Sequence, residues 1–138
     1  METQVIRKIS YKKDVDENED IDRLVGYLGD GDPNVRWGAA IDLQRKGKVA
    51  AGPLTRVLGE GSDLARPPAI WALGKINDAG SEKPLVEALS SDHAWTRWMA
   101  MASLTMTGSP EAMVAVERAL RTEDGSVRGI LAELVEGS

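Results

Sequence analysis

Residues 32–43 read DPNVRWGAAIDL, and this stretch carries the signals of a helix start followed by one buried helical face. Asp32 is a favourable N-cap residue. Pro33 suits the first helical position, because the N–H that proline lacks would have no partner there. Small and apolar residues then recur at helical spacing up to Leu43, and Gly47 follows where helices commonly end. The stretch therefore predicts a short helix from Pro33 to just before Gly47.

The arginine of this stretch is the first of four that recur through the chain. Arg36, Arg66, Arg97 and Arg128 lie 30, 31 and 31 residues apart. A leucine precedes each arginine by eight positions: Leu28, Leu58, Leu89 and Leu120. An aliphatic residue also precedes each by twelve: Leu24, Leu54, Leu85 and Val116. A fixed period in this range is the signature of a stacked repeat, in which each unit buries its apolar face against its neighbours.

Each period contains two helical segments separated by turns that are rich in Gly and Asp. We therefore predict an all-α protein, a right-handed α-solenoid of four two-helix units with about eight helices. The repeat domain covers residues 20–138, with units at about 20–49, 50–80, 81–108 and 109–138. Residues 1–19 do not follow the period, and we expect them to form a mobile tail. The alternative is a segment that folds on the first unit or binds a partner.

The second unit departs from the pattern of the first. Pro67 and Pro68 directly follow Arg66, and a residue before proline avoids helical backbone angles. We therefore expect the second helix of this unit to start late, near Pro67, with Arg66 in the preceding turn.

Composition restricts the classes of function. The chain of 138 residues suits one domain, and its 42% apolar content includes no Phe, which favours close helix packing. The absence of Cys excludes disulfides and thiol nucleophiles, and a single His argues against a histidine-rich metal site. We expect no metal, no cofactor and no membrane segment, and a cytoplasmic location. The net charge of −5 argues against nucleic acid as the partner.

The stretch at 32–43 resembles the short HEAT-like repeats of phycobilin-lyase-related proteins. Those repeats carry an Asp at the turn, then Val-Arg, paired small residues and a Leu, and the likeness extends over residues 20–138. The resemblance implies that the turn Asp and the helix Arg are structural and form a ladder between adjacent repeats. The residues of this ladder would be Asp32, Arg36, Arg66, Arg97, Asp124 and Arg128. His93 stands at the turn position of the third unit, where a helix cap is expected.

One face of the second helices is less polar than an exposed helical face should be. The positions one, five and nine residues after each arginine point away from the first helix of the same unit. They hold the predicted partner-binding track: Trp37, Ile41, Arg45, Trp71, Lys75, Trp98, Ala102 and Met106. An exposed apolar strip usually marks a contact surface. The alternative is that the indoles pack on one another as core, and we assign Trp95 to the core or to an end seam.

These features favour a non-enzymatic scaffold that binds a protein or peptide partner, with self-association through the same strip as a variant. An enzyme subunit or lyase-like accessory protein is the alternative. Its titratable candidates are few, namely Asp42 and Glu133, and we expect Asp42 to contact Arg45 or Lys46 instead. Nucleic-acid binding is the third possibility and is disfavoured, since its cation set is small. That set is Arg45, Lys46, Lys48 and Lys75.

Overall fold

The computed structural model describes residues 16–123 and residue 133. Within residues 16–123, seven α-helices follow one another and no strand occurs. The helices are α1 (Asp16–Tyr27), α2 (Pro33–Lys46), α3 (Ala51–Glu60), α4 (Arg66–Ile76), α5 (Glu82–Ala88), α6 (Ala94–Thr107) and α7 (Pro110–Leu120). Short 3-10 turns, Gly47–Ala50 and Ala79–Ser81, precede α3 and α5. The prediction of an all-α protein is confirmed. The helix expected after Asp124 lies outside the described residues.

Helix α2 has the ends that its sequence predicts. Pro33 is its first residue, and the Asp32 side chain accepts a hydrogen bond from the Asn34 N–H at 2.9 Å. At the other end Gly47 has a φ of 73° and donates its N–H to the Gln44 carbonyl. A positive φ is costly for residues with a side chain, which explains the glycine at this position.

Helix α4 starts late, as expected from its two prolines. It begins at Arg66 itself, whereas α2 begins three residues before Arg36 and α6 three residues before Arg97. Arg66 is therefore the first residue of the helix and does not lie in the turn. In the turn before it, the Ser62 hydroxyl accepts a hydrogen bond from the Ala65 N–H at 3.2 Å.

Helix α1 begins at Asp16, four residues before residue 20, where the repeat domain was expected to start. Residues 16–19 belong to α1, while the rest of the expected tail lies outside the described residues. Asp20 connects this helix to α2, because its carboxylate lies 2.7 Å from the Lys46 ammonium. Within α1 the same carboxylate lies 2.7 Å from the Arg23 guanidinium. Burial raises the pKa of Asp20, but the hydrogen bonds from Lys46 and Arg23 and their charges outweigh burial and hold it below its ordinary value.

The core consists of small and aliphatic side chains from successive units. The second helices α2, α4 and α6 pack on one another more closely than the first helices do. The contact of α4 with α6 depends on Gly74, where an added Cβ would lie 2.8 Å from the Ser103 Oγ. That hydroxyl is directed at the Ile70 carbonyl of α4, at 3.4 Å. The second helices therefore form the more closely packed layer of the array, which we call the inner side.

The repeating arginines bind the turns of their own units. Arg36 donates to the Asp30 carbonyl at 2.8 Å, Arg66 to the Leu58 carbonyl at 3.1 Å, and Arg97 to the Ser91 carbonyl at 3.0 Å. The last carbonyls of a helix have no partner within the helix, and these arginines supply donors at or just beyond the end of each first helix. This contact explains the arginine in each of the three units whose arginine the structure describes.

The expected ladder between units needs correction. Arg36 and Arg66 form their hydrogen bonds within their own units, and Asp32 caps its own helix. Arg97 alone among these three also reaches the next unit, where its Nε donates to Glu123 at 2.8 Å. The reason is that each guanidinium is close to the carbonyls that end the preceding helix. Asp124 and Arg128 lie outside the described residues.

Candidate interaction surface

Three tryptophans from three units meet on the inner side of the array. The ring centroids of Trp37 and Trp71 are 6.3 Å apart, and their planes make an angle of 82°. The centroids of Trp37 and Trp95 are 6.4 Å apart, with an angle of 36°. Edge-to-face and tilted contacts at these distances are the favourable ones for aromatic rings. We call Trp37, Trp71 and Trp95 the tryptophan cluster; its central ring is Trp37.

The position of Trp95 differs from the expectation that it lies in the core or in an end seam. Its side chain is 46% exposed and sits beside Trp37. Trp95 is the second residue of α6, three before Trp98, so both lie on one face of that helix. Extending the track by one turn towards the helix start would have found it. Counting only forward from each arginine missed it.

Trp98, which the predicted track also includes, forms a hydrogen bond to the next unit. Its ring is half-buried, and its indole N–H donates to the Glu123 Oε2 at 3.1 Å. The other carboxylate oxygen accepts from Arg97, and the Glu123 side chain is only 6% exposed. This hydrogen bond raises the pKa of Arg97. Trp98 thus helps to join α6 to the turn after α7.

The remaining track residues differ in exposure. Ile41 and Met106 are exposed apolar side chains, and Met106 reaches 62%. Ala102 is half-buried. Arg45 and Lys75, in the last turns of α2 and α4, are both exposed. The inner side therefore presents aromatic and aliphatic groups that are followed by cations.

Two of the cations considered for nucleic acid have carboxylate neighbours. Arg45 lies 3.9 Å from Asp42, which confirms the contact expected for that carboxylate. Lys46 is bound to Asp20 and is largely covered. Lys48 is exposed in the 3-10 turn after α2.

The groups considered for catalysis do not share an enclosed site. Asp42 has more than half of its side chain exposed, and Glu133 is exposed as well. General acid–base groups work in settings that exclude water, which neither position provides. His93 occupies the N-cap position of α6, but its Nδ1 lies 3.3 Å from the Thr96 hydroxyl and caps no backbone N–H.

An open groove of about 660 Å³ lies on another side, between α3 and α5. Its wall includes Asp63 and Arg66, which form an ion pair at 2.7 Å. In the described part of the chain, no group of three or more acidic or imidazole side chains is arranged to hold a metal ion.

Paired helices with a regular arginine, and a surface built across several pairs, define a helical-repeat protein. The family model for HEAT repeats matches residues 51–136, well over half of the chain, and the protein belongs to that family. HEAT repeats commonly serve as protein-interaction scaffolds and are typically non-enzymatic. None of the curated proteins matches the chain. Over the described residues, every helix is too short or too polar to cross a bilayer.

Proposed function

We propose that this protein is a non-enzymatic scaffold that holds a protein or peptide partner on the tryptophan cluster. We further infer that its units form a right-handed solenoid with the second helices on the concave side. A cytoplasmic location suits its cysteine-free sequence. The observation that carries the proposal is the cluster itself, in which three units contribute one surface and Trp95 is 46% exposed.

Leaving an indole such as that of Trp95 in water forgoes stabilisation that a bound partner would supply. A tryptophan buries roughly 150–250 Å² when it is fully covered, and leaving that area in water forgoes about 25 cal/mol for each Å². Trp is also enriched among the residues whose truncation costs a complex about 2 kcal/mol or more. Ile41, one helical turn after Trp37, and Met106, in the last turn of α6, are further exposed apolar side chains. A partner would cover these groups and recover that free energy.

Packing among the rings is the competing explanation. The three indoles do cover one another in part, since Trp37 and Trp71 are half-buried. Mutual packing alone does not account for the exposure of Trp95, which lies at the edge of the cluster. Self-association through the same rings would also cover them, and sedimentation of the protein at increasing concentration distinguishes a second copy from a different partner.

The test is affinity capture with matched tryptophan variants. Immobilised protein is incubated with extract of the organism that encodes it, and the retained proteins are identified by mass spectrometry. A partner should be retained by the wild type and by Trp98→Phe, and lost from the double variant Trp37→Ala/Trp95→Ala. Circular dichroism of each variant shows that it is folded. Equal retention by the double variant and the wild type would contradict the proposal.

A further inference from the structure

The charged residues on the track are both cations, and they occupy equivalent places in consecutive units. Arg45 follows Arg36 by nine residues, and Lys75 follows Arg66 by nine. They lie in the last turns of α2 and α4, which pack side by side. The Arg45 side chain is 74% exposed, and Lys75 is exposed as well.

The carboxylates near these two cations do not hold them in strong ion pairs. Asp42 lies 3.9 Å from Arg45, and both side chains are more than half exposed, so this pair contributes at most about 1 kcal/mol and opens easily. Asp78, the carboxylate closest in sequence to Lys75, accepts a hydrogen bond from the Gly80 N–H at 3.1 Å. Arg45 and Lys75 can therefore receive an anionic group from outside the chain.

The two cations lie one and two helical turns beyond the tryptophans of their own helices. With a rise of about 1.5 Å per residue, Lys75 lies about 6 Å along α4 from Trp71, and Arg45 lies about 12 Å along α2 from Trp37. Ile41 fills the interval on α2. A chain segment that placed apolar side chains on the indoles would bring groups two to four extended residues further on, or one to two helical turns further on, to the cations.

We propose that the occupant of this surface is an acidic segment of a partner protein. Its apolar side chains cover the tryptophan cluster, and its Asp or Glu carboxylates bind Arg45 and Lys75. Arg45 can hold a carboxylate through two parallel hydrogen bonds, which fixes the direction of the segment. This inference rests on the proposed function and adds the chemistry of the partner.

A short acidic segment suits the surface better than a nucleic acid does. A protein that binds a phosphate backbone can make about 6–10 phosphate contacts. Of the four cations considered for nucleic acid, Lys46 is already bound to Asp20, which leaves Arg45, Lys48 and Lys75. The chain as a whole carries a charge of −5, which repels a long polyanion. A segment with two or three carboxylates meets the local positive charge with little of that repulsion.

The experiment is a selection from random displayed peptides on the full-length protein, with counter-selection on Trp37→Ala/Trp95→Ala. The peptides recovered should combine Leu, Phe or Trp with Asp or Glu. Their affinity is then measured by fluorescence anisotropy against Arg45→Glu and Lys75→Glu, where it should fall about tenfold or more for each variant. Arg56→Glu on α3 and Lys83→Glu on α5 introduce the same charge changes away from the track, and they should stay within about twofold of the wild type.

The outcomes separate this inference from the proposed function. If the recovered peptides are basic or uncharged, or if acidic peptides bind Arg45→Glu and Lys75→Glu as they bind the wild type, the acidic segment is wrong and the scaffold function stands. If no peptide prefers the wild type over the tryptophan variant, both proposals fail. Salt-sensitive binding of labelled single-stranded DNA that Lys75→Glu abolishes, with no acidic peptide recovered, would replace the protein segment by a nucleic acid.

Discussion

Trp95 and Trp98 lie three residues apart on one helix and yet belong to two different regions of the molecule. Trp98 lies in the seam that Arg97, Trp98 and Glu123 form between the third and fourth units. There Glu123 accepts a hydrogen bond from the Trp98 indole N–H and forms an ion pair with Arg97. Trp95 lies in an open cluster with Trp37 and Trp71, and nearly half of it is exposed. Residue type and helical phase therefore do not decide whether an indole is structural. A carboxylate brought by the next unit decides it for Trp98.

The largest expected effect is the loss of the seam. Replacing Glu123 by Ala should lower the free energy of unfolding by about 3 kcal/mol, because it leaves the Arg97 guanidinium partly covered without its carboxylate and removes the acceptor of Trp98. Urea denaturation followed by circular dichroism measures this change. Glu117→Ala, an exposed change on α7, is the matched control and should shift the value by less than about 0.5 kcal/mol. Equal effects of the two variants would remove the distinction between the seam and the open cluster.

The next effect concerns the close contact between Gly74 of α4 and Ser103 of α6, the helix that also contains Trp95. Gly74→Ala should cost about 2 kcal/mol, since its Cβ would stand 2.8 Å from the Ser103 Oγ and 3.0 Å from its Cβ. Thermal unfolding reports the loss. Gly38→Ala in α2, where an added Cβ meets nothing within 4 Å, should instead stabilise the protein by about 0.5 kcal/mol. The double variant Gly74→Ala/Ser103→Gly should regain most of the stability, and failure to do so would show that this contact is not the cause.

A smaller effect is expected at Asp20, whose carboxylate is in ion pairs, and almost none at Asp42, whose carboxylate is exposed. Asp20→Asn should cost about 1 kcal/mol at neutral pH, whereas Asp42→Asn should cost almost nothing. The folded-state pKa of Asp20 is lowered, so its contribution is present above its unfolded pKa of about 3.9 and disappears as the pH falls through the folded value. Urea denaturation between pH 7 and pH 3 should therefore show the wild type converging on Asp20→Asn in acid. A difference that stays constant with pH would rule out this ion pair as its source.

The smallest effect on stability is expected for a change at Trp95. Tryptophan fluorescence gives the most direct test of the open cluster. Trp95→Phe should change the free energy of unfolding by less than about 0.5 kcal/mol and should remove the tryptophan emission most accessible to acrylamide. Trp98→Phe should leave that accessible fraction in place. Stern–Volmer plots of the two variants and the wild type make the comparison, and the reverse pattern would place the exposed surface at Trp98.

The regular features of the fold follow from local sequence. The step between arginines, the cap at Asp32, the positive φ at Gly47 and the late start at Arg66 all depend on residues close in the chain, and the structure has each of them. The candidate site was predicted less completely. Trp37 and Trp71 meet as neighbours on the inner side, but Trp95 replaces Trp98 as the third ring, because that exchange depends on a residue 25 positions away.

Helix caps and apolar periodicity act over a few residues, so local sequence is enough to predict the repeat, the helices and the shared face of Trp37 and Trp71. Contacts between units establish which side chains on those faces have hydrogen-bond or ion-pair partners and which stay exposed. Arg36 donates to carbonyls of its own unit, and Glu123 accepts hydrogen bonds from both Arg97 and Trp98. Trp95 packs beside Trp37. These choices depend on how closely successive units approach, which the contact of Gly74 with Ser103 helps to set and which no single repeat contains.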